Sequence, residues 1–249
     1  MIDGSAAIME LKISAVVVTH PGSHQENEDS YLALYGDKAP CGTLGLFAVS
    51  DGMGGAGNGV VASSMAVQTL ADVFPAACQV NQKNHLVDVP ELLRYGMQKA
   101  NAAIYRAASE DQNLQGVGAA CLAASIAHGV LYIAHVGDSR AYLFRAGQLR
   151  RLTEDEWVRK GTTTVVNQAV GLQPLLFPKS ADTPLLPEDI ILLSTDGLTE
   201  AIEEKRIEIL LAECSNVNST CELLLEEAIS TRNADNVTLI VLGITCDQS

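Results

Sequence analysis

The patterning of this chain predicts an α+β fold with mostly antiparallel sheet, and three observations carry that expectation. Between Gly118 and Leu152 four strand-like runs follow one another: Ala119–Ala127, Val130–Val136, Ala141–Arg145 and Gln148–Leu152. The turns between them are His128-Gly129, Gly137-Asp138-Ser139 and Ala146-Gly147. Linkers this short read as hairpins, because a parallel crossover needs about a dozen residues, so the stretch is expected to be a meander. Second, apolar residues recur at helical spacing on both sides of it. Third, no internal repeat, low-complexity tract or linker divides the 249 residues. Residues 1–249 are expected to form a single domain, with its core at about 14–244.

Composition narrows the function. Hydrophobic residues make up 47%, charged residues 18% and aromatics 4%, as in a soluble domain built on small aliphatic side chains. The formal charge of -14 repels nucleic acid and anionic membranes, so neither is expected as a partner. Six cysteines, at 41, 78, 121, 214, 221 and 246, form no C-x-x-C pair, which fits a reducing compartment. The start, Met1-Ile2-Asp3-Gly4-Ser5, has no signal-peptide pattern, and no apolar run is long enough to span a bilayer. A cytoplasmic protein is expected.

In chain order, Lys12–Thr19 is β-branched and reads as a strand, broken by His20-Pro21-Gly22-Ser23-His24. The acidic Gln25-Glu26-Asn27-Glu28-Asp29 precedes a second strand, Tyr31–Tyr35. Leu44–Ser50 is an apolar run that delivers Asp51 into a turn with five glycines, 52, 54, 55, 57 and 59. A helix is expected from Val60 to Phe74, stopped by Pro75, then a polar loop over Gln79–Val87. Pro90 opens a second helix with a stripe from Leu92 to Ala107. Beyond the meander, Thr153–Thr164 is polar and irregular. Ile190–Ser194 is a strand ending at Thr195-Asp196-Gly197, followed by helices over Glu203–Glu213 and Ser219–Ser230. Asn233-Ala234-Asp235-Asn236 leads into a last strand, Val237–Ile244.

Two readings compete for the glycine-rich turn. Gly52-Met53-Gly54-Gly55-Ala56-Gly57 fits the dinucleotide pattern G-x-G-x-x-G, with Asp72 twenty residues past Gly52. Its context fails: Asp72 falls inside the continuing helix, the antiparallel stretch denies a βαβ plan, and Asp51 would face a pyrophosphate. The other reading counts acids at strand ends: Glu28, Asp29, Asp51, Asp138, Asp196 and Asp235. One fold could bring these carboxylates to one rim, where their repulsion would demand a cation. Oxygen ligands without a His/Cys cluster select Mg²⁺ or Mn²⁺ over Zn²⁺. Gly52 would let a backbone carbonyl approach that metal.

The ordered set Asn27-Glu28-Asp29, Phe47–Gly55, Val136–Arg140, Leu193–Gly197 and Asp235–Thr238 resembles the metal-dependent protein phosphatases, the type 2C serine/threonine enzymes, in their bacterial branch. The likeness runs from about Ser14 to Ile244. It implies a four-layer α/β/β/α sandwich with metals at one rim. By position, Asp51 would bridge two Mn²⁺ or Mg²⁺ ions, Gly52 would give its carbonyl, and Asp196 and Asp235 would complete the ligands. Glu28 and Asp29 would hold metal-bound waters, Asn236 would lie beside Asp235, and Asp138 with Asp196 would serve a weaker third metal. In such an enzyme a water held between two cations attacks phosphorus in line. The implied activity is hydrolysis of phosphoserine and phosphothreonine in proteins phosphorylated by a cognate Ser/Thr kinase.

Three departures from the family pattern bear on substrate. The arginine that usually grips the phosphate is replaced by His24, with Lys12 or Arg140 as possible substitutes; Arg140 reads better as an ion-pair partner. Met53 stands where eukaryotic members have a histidine. The usual Asp-His and helical flap are replaced by Glu154-Asp155-Glu156-Trp157 and a segment roughly half as long, which bears on specificity and not on metal binding. His20 and His135, also unusual, are expected to pack or cap. The alternative function is a catalytically weak or inactive binding or signalling module that lost phosphate gripping at His24; the complete acid set argues against it.

Overall fold

Alternation of apolar side chains along the strands gives two sheets, each with two faces to bury. The structure is a computed structural model describing residues 11–40, 42–54, 57–81, 88–160, 163–214, 216–232 and 234–246. Met1–Ser5, Cys41, Gly55, Ala56, the end of the expected loop up to Val87, and Asn233 lie outside these residues. So do the side chains of 77–81, 157–160 and 163–166.

The strands are β1 (Leu11–His20), β2 (Asp29–Tyr35), β3 (Gly45–Met53), β4 (Gly118–Ala127), β5 (Val130–Val136), β6 (Arg140–Arg145), β7 (Gln148–Arg151), β8 (Trp157–Lys160), β9 (Thr163–Val166), β10 (Lys179–Pro184), β11 (Ile190–Ser194) and β12 (Val237–Cys246). One five-stranded sheet has the order β1-β12-β11-β6-β7 and the other β10-β5-β4-β3-β2, all pairs antiparallel. The helices are α1 (Gly59–Asn81), α2 (Val89–Glu110), α3 (Asp196–Ala201), α4 (Glu204–Glu213) and α5 (Val217–Ile229).

Three apolar layers follow from the period of two. Phe47, Val49, Leu122 and Ile133 meet Leu143, Leu193, Ile240 and Leu242 between the sheets. Their neighbours Leu46, Ala48 and Cys121 face outward onto Leu70, Phe74, Leu93 and Met97 of α1 and α2. On the other side Tyr142, Leu192 and Val241 face Leu198, Ile207, Leu211 and Leu224 of the three short helices. This is the α/β/β/α sandwich that the resemblance implied.

The meander is corrected. His128-Gly129 and Ala146-Gly147 are true hairpin turns, each with two positive φ angles, as the right-handed twist of paired strands requires. Gly137-Asp138-Ser139 is not. β5 pairs with β4 and β10, β6 with β11 and β7, so this linker carries the chain from one sheet to the other. Leu131 and Ile133 lie in the same inter-sheet layer as Ala141 and Leu143. Stacked strands bury facing side chains in this way, whereas a hairpin would have put them side by side.

Other expectations shift locally. Pro75 does not end α1, which continues to Asn81. An interior proline costs about 3 kcal/mol; the buried stripe Ala62, Ala66, Leu70 and Phe74 just before it holds the helix regardless. The first turn of α2 is capped by Asp88, whose side chain accepts from the Glu91 N–H at 3.0 Å. Thr153–Thr164 is not wholly irregular: β8 and β9 form a two-stranded hairpin in place of a helical flap. The strand β10 and the helix α3 were not anticipated. β10 is a mostly exposed edge with one buried residue in six, Thr183, and so shows almost no apolar periodicity.

Candidate metal centre

One end of the sandwich collects the acids because antiparallel strands alternate in direction. The C-terminal ends of β1, β3, β5 and β11 and the N-terminal ends of β2, β4, β6 and β12 share this rim. Asp29 sits directly opposite Asp51 in the β2–β3 register. Asp138 arrives on the inter-sheet linker, Asp196 follows β11 at the first turn of α3, and Asp235 precedes β12.

Carboxylate oxygens of Asp51, Asp138 and Asp196 lie within 4.8 Å of one another. Burial, then the charge of Asp196, and then those of Asp29, Asp138 and Asp235, hold the Asp51 carboxyl well above the usual carboxylate range. Asp196 is pushed up to about 8, by burial first and by Asp138 next. Asp29 is raised to about 6, chiefly by burial, against hydrogen bonds that favour its charge. Its Oδ2 accepts from Thr195 Oγ1 at 2.9 Å, while its buried Oδ1 has no hydrogen-bond donor among the described residues. The four charges that weigh most on Asp51 are all carboxylates. A buried oxygen without a donor and acids that oppose one another's ionisation fit a hard divalent cation, which Mg²⁺ and Mn²⁺ are.

Asp235 stands outside that tight trio. Its Oδ1 lies 3.2 Å from His24 Nε2, and both residues line an open cleft of about 600 Å³ together with Asp51, Gly52, Glu26 and Glu28. His24 is therefore at the site, beside a carboxylate. Glu28 performs a job the sequence did not suggest: its Oε1 accepts from the Gly59 N–H at 2.7 Å, at the start of α1. Gly52 donates its N–H to Glu28 O at 3.2 Å.

The requirement for glycine at 52 has a plain steric cause. A Cβ there would stand 2.2 Å from Gly59 O and 2.6 Å from Glu28 O, both backbone atoms. Gly197 is constrained likewise: its Cβ would lie 2.0 Å from Asn236 O. The Asp-Gly pairs thus mark close backbone crossings as well as acids.

Asn236 does more than lie beside Asp235. Its Oδ1 accepts from Glu28 N at 2.7 Å, and its Nδ2 donates to Pro21 O at 3.0 Å and Glu26 O at 3.2 Å. It fixes the whole 21–28 loop to β12. Thr195, which holds Asp29 and also accepts from Thr238 N at 3.0 Å, was missed in sequence because a lone threonine before an aspartate carries no signal.

The remaining candidates resolve. Arg140 Nε and Nη2 bond both oxygens of Asp155 at 3.1 and 2.8 Å, so it is an ion-pair partner. Lys12 lies at the opposite end of β1, eight residues from His20 or roughly 26 Å along the strand. His20 Nδ1 accepts from Gly22 N at 3.0 Å and caps that turn. His135 is buried and lowered to about 4 by burial and then by Lys179, so it packs as a neutral ring. Cys121 and Cys221 are buried thiols pushed up to about 12 by burial. Neither is a nucleophile near neutral pH.

Known proteins agree with this geometry. The family model described as protein phosphatase 2C matches residues 18–231. The serine/threonine phosphatase stp of Listeria welshimeri is 30% identical over 210 residues, covering 78% of this chain and 82% of that protein. The protein phosphatase PhpP of Streptococcus pneumoniae (strain D39) is 25% identical over 244 residues, covering 92% and 96%. Among solved structures, the catalytic domain of the serine/threonine protein phosphatase PstP in complex with two manganese ions superposes with a TM-score of 0.79 at 25% identity, over 95% of this chain and all of that one. A bacterial serine phosphatase gives a TM-score of 0.82 at 26% identity, again over 95% of this chain. With the family's motifs in order, its fold matched and its acids gathered at one rim, this chain belongs to the protein phosphatase 2C family.

Proposed function

We propose that this rim hydrolyses phosphoserine and phosphothreonine in proteins, with Asp51, the Gly52 carbonyl, Asp196 and Asp235 holding two Mn²⁺ or Mg²⁺ ions. Asp138 and Asp196 hold a weaker third ion, and Glu28 and Asp29 position water around the pair. The observation that supports this most directly is the convergence of the half-buried Asp51, Asp138 and Asp196 oxygens within 4.8 Å, which is costly unless a cation shares the site. Divalent cations held by these residues would acidify a water and neutralise phosphoryl oxygens.

The chain's own groups do the rest. Thr195 and the β2–β3 register hold Asp29 against Asp51. Asn236 fixes the loop that carries His24 and Glu28. His24, beside Asp235 in the cleft, contacts the substrate phosphate. Met53 has no proton to give, so the leaving alcohol takes its proton from solvent. The substrates are phosphoproteins made by a Ser/Thr kinase that works opposite this enzyme in the cytoplasm. Among the described residues no helix is long and apolar enough to cross a membrane. One domain, 1–249, carries the whole site.

The test is turnover of a phosphoserine peptide in Mn²⁺. Asp51→Asn and Asp235→Ala are each expected to lower kcat by more than about 100-fold, and EDTA to abolish turnover. Activity retained in either variant, or in EDTA, would falsify the assignment.

A further inference from the structure

The linker that brings Asp138 to the acids is only three residues long, so whatever holds its backbone sets where that carboxylate points. The segment Leu152–Glu156, whose Glu154-Asp155-Glu156 departs from the family pattern, runs alongside it and grips it on both sides. Before Asp138, Glu156 makes a reciprocal pair with Gly137: its N–H donates to Gly137 O at 3.0 Å, and its Oε2 accepts from Gly137 N at 3.3 Å. After Asp138, Asp155 pairs with Arg140, and Thr153 Oγ1 accepts from Ala141 N at 3.1 Å. Gly137 has φ 91°, a conformation open to glycine that other residues rarely adopt.

Glu156 is the most deeply buried charged group of this clamp, with its side chain 4% exposed. A buried carboxylate is retained only where its oxygens are satisfied. Here Oε2 serves Gly137, and Oε1 accepts from Gln168 Nε2 at 3.3 Å, with Lys179 Nζ 3.8 Å away. Its carbonyl accepts from Asn167 N at 2.7 Å, which closes the base of the β8–β9 hairpin. The same residue therefore ends the clamp and begins the hairpin.

We propose that Glu156 is a positioning residue: it holds the Gly137–Ser139 crossover so that Asp138 reaches the metal cluster, and it sets the affinity of the ion that Asp138 binds. This rests on the reading of Asp138 as a ligand. The unusual segment after Thr153 then bears on metal affinity as well as on specificity. Changing a residue that orients a metal ligand typically weakens binding by about 10–100-fold.

The experiment is a Mn²⁺ titration of the full chain by calorimetry and by electron paramagnetic resonance of the free ion. It compares wild type, D138N, E156A and E156Q, with circular dichroism to verify folding. D138N should lose the weakest site. E156A should weaken that same site by about 10–100-fold and leave the tighter two unchanged. E156Q, which keeps an acceptor for the Gly137 N–H, should recover most of the affinity. If D138N loses the site while folded E156A binds as wild type does, the role of Glu156 is overturned and the ligand reading stands. If D138N itself binds as wild type does, the ligand reading falls and the proposal with it. Should E156A not fold, E156D, one methylene too short to reach Gly137, takes its place, and unchanged affinity in E156D is equally fatal.

Discussion

Replacing Asp196 by Asn should stabilise the metal-free protein while destroying the site. In the folded chain Asp196 titrates at about 8, raised first by burial and then by Asp138, against 3.8 without that environment. At pH 7 the folded state must therefore keep a proton that the unfolded chain releases. Each unit of separation is worth about 1.4 kcal/mol, so the three units between 3.8 and 7 set an upper bound of about 4 kcal/mol. Asp196 is partly exposed, and solvent screening discounts that bound, so about 2 kcal/mol is the working value. Because folded Asp196 is protonated at pH 7, it brings no negative charge to the first turn of α3 for Asn to lose. The expected gain is about 2 kcal/mol, or about 4–8 °C in Tm for a chain of this size. In Mn²⁺ the order should invert, because an ion at about 100 times its Kd stabilises the wild type by about 2.7 kcal/mol and Asn binds it poorly. Thermal unfolding of both proteins in EDTA and in Mn²⁺ reads this directly. An Asp196→Asn protein that melts below wild type in EDTA refutes the electrostatic account of the rim.

Two further outcomes follow from the same geometry. Without metal, stability should fall as pH rises. Below about 3.8 both states hold their protons; above it the unfolded chain ionises while folded Asp29 and Asp196 stay protonated up to about 6 and about 8, so stability is lost across pH 4–8. The urea midpoint in EDTA should drop between pH 5 and pH 8, and a flat or rising profile would contradict the shifts. Gly52→Ala forces a methyl to within 2.2 Å of the Gly59 carbonyl oxygen, which cannot swing away as a side chain could. Overpacking of this kind costs about 1–3 kcal/mol, so Tm should fall and Mn²⁺-dependent turnover with it. An unaltered melting curve would show that the Gly52–Gly59 crossing is looser than described.

Much of the site was legible because its chemistry sits at element ends. An apolar strand that runs into an aspartate is a one-dimensional signal, and Asp51, Asp196 and Asp235 each follow or precede such a run. The acids outside any motif were harder to read. Glu156 lay in a segment that looked irregular, and its role depends on Gly137, nineteen residues earlier. Thr195 and Asn236 act on Asp29 and on the 21–28 loop through partners more than 150 residues away, and no local pattern encodes such pairs.

The crossover at Gly137–Ser139 draws the same boundary. By itself the sequence determined most of the strands and helices, the antiparallel sense of the sheets and the identity of the acids, since each of these is written in local periodicity and turn chemistry. Only the tertiary structure decided that β5 and β6 lie in different sheets, because a three-residue linker serves a hairpin and a sheet switch equally well. Burial of Leu131 and Ile133 in one layer with Ala141 and Leu143 selects the switch, and that selection places Asp138 among the other carboxylates.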